Sequence, residues 1–238
     1  MRKFNSISIV IPVYNEEKFI KKTIDEVLKS DTLKLKKEII IVDDGSEDKT
    51  PQILKRIAKN NKNIKVISKI NEGKGSALKK GFKTASGDVV LIQDADLEYN
   101  PDDYPKLLKP FMENDADVVY GSRLVTAAPH RVLYFWHSVV NKLLTMYSNM
   151  LTNLNLTDME TGYKVFRGEI IRKLAPKLES NKFGFEPEIT AKISKIEGVK
   201  IFEVGISYSG RTYEEGKKIG WEDGVQAVWE ITKFNLLQ

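Results

Sequence analysis

A chain of 238 residues, 41% of them hydrophobic and none of them cysteine, is long enough to bury a core unaided, and it excludes disulfides, thiolate metal sites and a cysteine nucleophile. Its 38 basic and 33 acidic residues leave a formal net charge of +5 spread along the chain, which reads as a solvated Lys-rich surface or as attraction to anionic partners. No basic block interleaves with aromatics, so nucleic acid is not an expected partner, and no run reaches the roughly 20 apolar residues of a membrane-spanning helix.

Met1–Asn5 lead into a strand-like segment without the long apolar stretch of a signal peptide, which predicts a cytoplasmic protein. Short Val- and Ile-rich runs then alternate with helical patterns. Ile7–Ile11, Ile39–Val42, Lys65–Ile67, Val89–Ile92 and Val118–Tyr120 have the composition of buried strands. Between the first two, Phe19, Ile20, Ile24, Val27 and Leu28 recur at helical spacing. Thr50-Pro51 and Asn100-Pro101 each read as an N-cap followed by proline at the first helical position. The alternation predicts an α/β fold, a mostly parallel sheet with helices on both faces.

After Gly121 the pattern changes. Val132–Leu151 has the period of one long amphipathic helix, with Val132, Phe135, Trp136, Val139, Val140, Leu143, Tyr147 and Met150 on one side. His137, Ser138, Asn141, Thr145, Ser148 and Asn149 fall on the other. The apolar side fits either packing in the core or a helix lying in a membrane interface, its aromatics flanked by Arg131 and Lys142. A strand at Tyr163–Arg167, a helix from near Pro187, a strand at Lys200–Ile206 and a helix marked by Trp221, Val225, Val228, Trp229 and Thr232 complete the chain. Neither a repeat nor a linker divides it, so one domain over 1–238 is expected.

Ligands of an open α/β sheet collect beyond the carboxyl ends of its strands. The residues expected there are Pro12–Glu16, Asp43–Ser46, Gln93–Glu98 and Gly121–Arg123. Three strand ends thus bring carboxylates to one edge, where like charges repel unless a cation or ligand offsets them. Asp94-Ala95-Asp96 is the sharpest of these: if the backbone stays extended, both carboxylates face the crevice, where their hard oxygens suit Mg²⁺ or Mn²⁺, with Glu98 as a third ligand. Alone, the same triplet is an ordinary solvated turn. Zinc is a poor fit, with His130 and His137 the only imidazoles. Asp43-Asp44-Gly45-Ser46 reads equally as a turn or as an acceptor for the N–H of a nucleotide base. Tyr14 reads as packing or as a surface flanking that base. Asn71–Ser76 lacks the spacing of a phosphate loop and reads as a glycine-rich helix entry that could bind an anion.

Pro12-Val13-Tyr14-Asn15-Glu16, Val42-Asp43-Asp44-Gly45-Ser46, Gly73-Lys74-Gly75, Asp94-Ala95-Asp96-Leu97 and Gly121-Ser122-Arg123, in this order, resemble the family-2 glycosyltransferases. Within them the chain resembles the dolichyl-phosphate mannose synthase branch, from Ile7 to about Trp221; Thr161–Arg167 and Glu203–Ile206 are similar to that branch's later motifs. The resemblance implies a GT-A type fold, with a nucleotide-sugar-binding half to about residue 122, an acceptor-side half over 123–220 and a C-terminal helix over 221–238. It implies an inverting, metal-dependent transfer of a hexose from a GDP- or UDP-hexose to a polyprenyl phosphate, with Mg²⁺ or Mn²⁺ as cofactor. Pro12, Tyr14, Glu16, Val42 and Asp44 would line the nucleotide pocket. Asp94, Asp96 and Glu98 would hold the metal, with Ala95 against the diphosphate. Arg123, Arg211 and Lys217 would bind phosphates of donor and acceptor and, with Asp96, carry catalysis. The family often has glutamine where Glu98 stands and proline where Gly205 stands.

A phosphate acceptor, with its second pKa near 6, is largely ionised at neutral pH and needs no strong base, which matches the lack of an evident one here. A lipid acceptor is compatible with peripheral contact at the cytoplasmic face of a membrane. Two other readings stand beside this one: a related transferase with a soluble or protein-bound acceptor, favoured if the 132–151 face is buried, and a nucleotide-binding module without catalysis, disfavoured by the retained carboxylates and arginines.

Overall fold

The computed structural model describes residues 2–125, 131–132, 134–182, 184–210 and 221–237. Seven strands form one sheet: β1 (Ser6–Val13), β2 (Lys36–Asp43), β3 (Ile64–Ser68), β4 (Val89–Ile92), β5 (Val118–Ser122), β6 (Lys164–Arg167) and β7 (Ile201–Gly205), in the spatial order β3-β2-β1-β4-β6-β5-β7. All neighbours run parallel except β6, which is antiparallel to both β4 and β5. The strands are the apolar runs of the sequence: β1, β2, β3 and β5 extend one to three residues beyond them, β4 coincides with its run, and β6 and β7 are one or two residues shorter than expected. Parallel pairing buries both faces, and the alternation shows it. Ile7, Ile9, Ile11 and Val13 of β1 join one core, whereas Val10 joins the other; Ile39 and Ile41 of β2 oppose Ile40 and Val42 in the same way.

The first core lies under α1 (Ile20–Lys29), α2 (Thr50–Asn60) and α4 (Tyr104–Glu113). The second lies under α3 (Lys74–Thr84), α6 (Gly168–Leu174) and α7 (Phe185–Ser194), and it also takes in Leu144 of α5 (Phe135–Thr152) and Ala227 and Ile231 of α8 (Trp221–Thr232). Helices therefore cover both faces, as the alternation of elements predicts.

Two helix readings differ from expectation. Thr50 is not the cap of α2: Lys49 precedes the helix, and the Thr50 hydroxyl instead accepts from the Glu16 N–H at 2.9 Å, tying α2 to the loop after β1. Asn100, in contrast, caps as expected, its side chain accepting from the Asp102 N–H. The second difference is larger. Helix α5 turns its polar side inward: Thr145 and Ser148 are buried, while Trp136, Leu143 and Met150 are 74%, 54% and 73% exposed. The inner neighbour of α5 is the irregular segment 154–160, whose backbone needs partners. Thr145 accepts from the Met159 N–H, and the Asn149 amide both donates to the Leu156 carbonyl and accepts from its N–H. Helix α8 also leaves Val225, Val228 and Trp229 of its expected stripe outside, but it buries the apolar Ala227 and Ile231 in the second core. The choice left open for the apolar side of 132–151 therefore falls against the core for most of its residues.

Candidate active site

The strand order reverses between β1 and β4, and the crevice at their carboxyl ends opens into a cavity of about 1550 Å³. Pro12, Tyr14 and Glu16 line it from β1, Asp44 from β2, and Asp94, Ala95, Asp96 and Glu98 from β4; Arg123 lines it from β5. Val42 does not. It is wholly buried in the second core, because a side chain one residue inside the strand end points into the α3 layer and not beyond the edge. Arg211 and Lys217 lie outside the described residues.

The loops after β1 and β2 are stitched to one another. The Asn15 N–H donates to the Ser46 hydroxyl and the Asn15 side chain accepts from the Glu47 N–H, while the Glu17 N–H donates to Asp48. Asp44 is only 3% exposed and holds the next loop: Lys69 Nζ lies 2.6 Å from Oδ1 and the Gly73 N–H 2.7 Å from Oδ2. Gly73 sits at φ +108°, a conformation that glycine alone adopts without strain. The glycine-rich entry of α3 is not an open anion site. The Ser76 N–H already bonds the Asn181 carbonyl, and Gly75 packs so closely that a Cβ there would lie 2.5 Å from the Ser180 oxygen.

What that entry delivers is the Lys74 side chain. Its ammonium stands 3.0 Å from Asp94 Oδ1 and 3.3 Å from Glu186 Oε1. Burial pulls this group's pKa down, but Asp94 and Glu186 more than offset it, so Lys74 keeps its charge. Glu186 occupies the first turn of α7, where the helix dipole favours an acid. The Asp94–Glu98 segment is a turn, with Leu97 at φ +63°, so the extended backbone that would have faced both carboxylates into the crevice is not what places them. Thr23 of α1 donates to the Ala95 carbonyl and the Glu98 N–H to Asp96, which keeps both aspartates on the crevice wall. Beneath them Gln93 is fully buried, its amide donating to the Asp94 and Tyr99 carbonyls and its oxygen accepting from the Tyr104 and Tyr163 hydroxyls.

The floor comes from the segment before β6. A Cβ on Gly162 would lie 2.4 Å from Asp94 Oδ2, so this chain runs directly against the aspartate. Asp158 is fully buried and clamps Arg123: Nε and Nη2 each lie 2.6 Å from a carboxylate oxygen, and Asn141 of α5 donates to the same group. Burial alone would raise the Asp158 carboxyl, but the Arg123 guanidinium offsets this and holds it below the usual carboxylate range. Arg123 thus reaches the crevice with much of its fork already engaged, and it lies over the Tyr208 ring. Glu98 accepts from the Tyr208 hydroxyl at 2.6 Å. Glu160 also lines the crevice; burial, then the neighbouring Glu186, push its carboxyl up to about 8, and burial draws Lys164 down to about 8.

The residues fit a hard divalent cation. No cluster of three or more His, Cys, Asp or Glu in metal-binding geometry occurs among the described residues. Asp94 and Asp96 nevertheless share one wall of a crevice large enough for a substrate, and Mg²⁺ commonly binds through one or two carboxylates together with water and substrate phosphates. Lys74, Glu160, Glu186 and Tyr208 are contributors that the sequence reading did not assign; only Lys74 carried a signal, inside Gly73-Lys74-Gly75.

The profile of "Glycosyl transferase family 2" matches residues 8–175. A dolichol-phosphate mannosyltransferase of Pyrococcus furiosus is 32% identical over 223 residues, covering 90% of this chain but only 60% of that relative. An undecaprenyl-phosphate mannosyltransferase of Micrococcus luteus is 29% identical, covering 95% of this chain and 93% of the relative. Among solved structures, a glucosyl-3-phosphoglycerate synthase from Mycobacterium tuberculosis, crystallised with Mn²⁺, UDP and phosphoglyceric acid, superposes with a TM-score of 0.71 at 21% identity, covering 98% of this chain and 79% of that one.

Proposed function

The chain belongs to glycosyl transferase family 2, and from that premise we propose that it transfers a hexose from a nucleotide-sugar to a polyprenyl phosphate, with inversion at the anomeric carbon. One observation carries the choice of acceptor. The cavity that holds Asp94 and Asp96 continues without a break along Trp136, Val140 and Leu143 of α5 and Val225 and Val228 of α8. A charged headgroup and a long apolar tail each have a matching wall in it. The outward apolar side of α5 also favours a lipid over the soluble acceptor that a buried face would have suited. The mannosyltransferase relatives, named for dolichol- and undecaprenyl-phosphate, support the same reading.

On this reading Tyr14 flanks the base, and Asp44 stations the loop that carries Lys74. Asp94 and Asp96 would hold Mg²⁺ or Mn²⁺, which supplies charge stabilisation to the departing diphosphate. Lys74, already at Asp94, adds a fixed cation beside that charge. Arg123, oriented by Asp158 and stacked on Tyr208, presents its outer edge to a phosphate. The acceptor phosphate needs no base, so the work left to the protein is holding it in line with the anomeric carbon. Contact with the cytoplasmic face of a membrane would let the tail remain in lipid.

The test is transfer of labelled hexose from GDP-mannose and UDP-glucose to polyprenyl phosphate and, in parallel, to soluble acceptors. Transfer to the lipid is expected, lost in excess chelator and lowered at least about 100-fold by Asp96→Ala. Soluble acceptors modified readily while the lipid is not would overturn the proposal.

A further inference from the structure

A carboxyl on the crevice floor has an oxygen without a partner among the described residues. Glu160 lies on this floor, two residues before the Gly162 backbone that abuts Asp94. Its Oε1 is buried and makes no hydrogen bond among the described residues. The nearest cations are otherwise engaged: Lys74 with Asp94 and Glu186, Arg123 with Asp158, and Lys164 with the Thr161 carbonyl. A buried carboxyl oxygen left without a partner is unfavourable and rare, and it calls for a group that arrives later.

The chemistry of that group follows from its surroundings. A diphosphate oxygen is a poor partner, because it only accepts and would meet the negative charge of Glu186 and Asp158. A carboxyl that keeps its proton has no charge for a cation to offset, so a neutral polar group fits best. The Glu160 carboxyl keeps its proton more readily than an ordinary one, so it offers a donor as well as an acceptor. A hydroxyl is the neutral group that answers both. The position, on the crevice floor next to the Asp94 turn, is where a sugar linked to a diphosphate held by Asp94 and Asp96 would lie.

Resting on the nucleotide-sugar reading, we infer that Glu160 is a hexose-recognising residue, its buried Oε1 meeting a ring hydroxyl of the donor sugar.

The experiment titrates UDP, GDP, UDP-glucose and GDP-mannose into the wild-type chain, Glu160→Gln and Glu160→Ala, with Mg²⁺ present. For the sugar nucleotide that wild type binds more tightly, Glu160→Ala should weaken affinity about 10-fold, the loss expected of one buried hydrogen bond. Affinity for the matching nucleoside diphosphate should change less than about twofold, which also reports that the variant is folded. Glu160→Gln keeps a donor and an acceptor and should stay within about threefold of wild type. Equal losses for the diphosphate and its sugar conjugate would assign Glu160 a structural role and overturn the inference. Unchanged sugar-nucleotide binding in Glu160→Ala would overturn it too, leaving the transferase reading intact. A wild-type chain that binds none of the four nucleotides would overturn that reading and this inference together.

Discussion

A carboxylate that fastens a loop while facing a ligand serves two roles, and Asp44 is in that position. Its oxygens accept from Lys69 and from the Gly73 N–H, so removing it uncouples the loop that aims Lys74 at Asp94. Asp44→Ala should therefore lower stability by about 1–3 kcal/mol as well as weaken donor binding, because buried donors lose their acceptor. Thermal melts and nucleotide titrations on the same sample check this; weaker binding at unchanged stability would show that Asp44 acts on the ligand alone. Gly162 is the second such position. A methyl group there meets Asp94 Oδ2 at 2.4 Å and the Tyr99 ring at 2.9 Å, so Gly162→Ala should cut transfer at least about 100-fold by displacing the aspartate. Retention of full activity would show that the floor can yield. Glu160 gives a pH signature. Burial and the neighbouring Glu186 raise its carboxyl above the ordinary value of 4.5, so as pH rises past that value the folded state retains the proton and the stability due to Glu160 falls. Glu160→Gln removes that loss. Melting temperatures of variant and wild type, measured from about pH 5 to about pH 8, should diverge in the variant's favour; a constant difference would mean an ordinary carboxyl.

At the level of elements, α5 shows what the sequence could and could not disclose. Its existence was legible, since eight apolar residues recur at helical spacing. Its orientation was not, because the rule that apolar faces turn inward presumes an apolar neighbour. The neighbour here is segment 154–160, whose N–H and C=O groups need Thr145 and Asn149 and whose Asp158 carboxylate takes a hydrogen bond from Asn141. Thr145→Val should accordingly cost about 1–3 kcal/mol, leaving the buried Met159 N–H without an acceptor, whereas Leu143→Gln on the outer side should stay within about 0.5 kcal/mol. Comparable costs at the two positions, measured by denaturant unfolding, would contradict the inverted face. The strand ends were readable for the opposite reason. Each is a short apolar run stopping at a proline, a glycine or a polar residue, and parallel pairing of β1, β2 and β4 then sets Pro12, Asp44 and Asp94 on one edge. Lys74, Glu160, Glu186 and Tyr208 come from separate loops and helices whose meeting depends on the packing of α3, α7 and the segment before β6. No local pattern records such a meeting, and the antiparallel insertion of β6 between β4 and β5 is a pairing of the same long-range kind.

For the whole molecule the open question is what covers the outer side of α5 and α8. No helix among the described residues is long and apolar enough to cross a membrane. Yet Phe135, Trp136, Leu143 and Met150 are exposed on α5, and Val225 and Trp229 on α8, beside the mouth of the cavity. A contiguous apolar surface of this kind is unusual on a chain that works alone in water. If this face meets an anionic lipid surface, as the proposed acceptor implies, the rings would enter the interface and basic residues of a chain of net charge +5 would meet the headgroups. Adding vesicles of phosphatidylglycerol should shift the tryptophan emission to the blue, and Trp136→Ala combined with Trp229→Ala should lower the partition coefficient about 10-fold or more. Raising salt from about 0.05 to about 0.5 M should weaken binding of both proteins by screening the charges, leaving the tryptophan-dependent difference in place. Neutral phosphatidylcholine vesicles should bind less than anionic ones at low salt and about equally at high salt. A chain that ignores vesicles but self-associates with increasing concentration, and loses that association when Trp136 and Trp229 are removed, would instead make this face a contact between protein copies. The tail of a lipid acceptor would then need another route into the crevice.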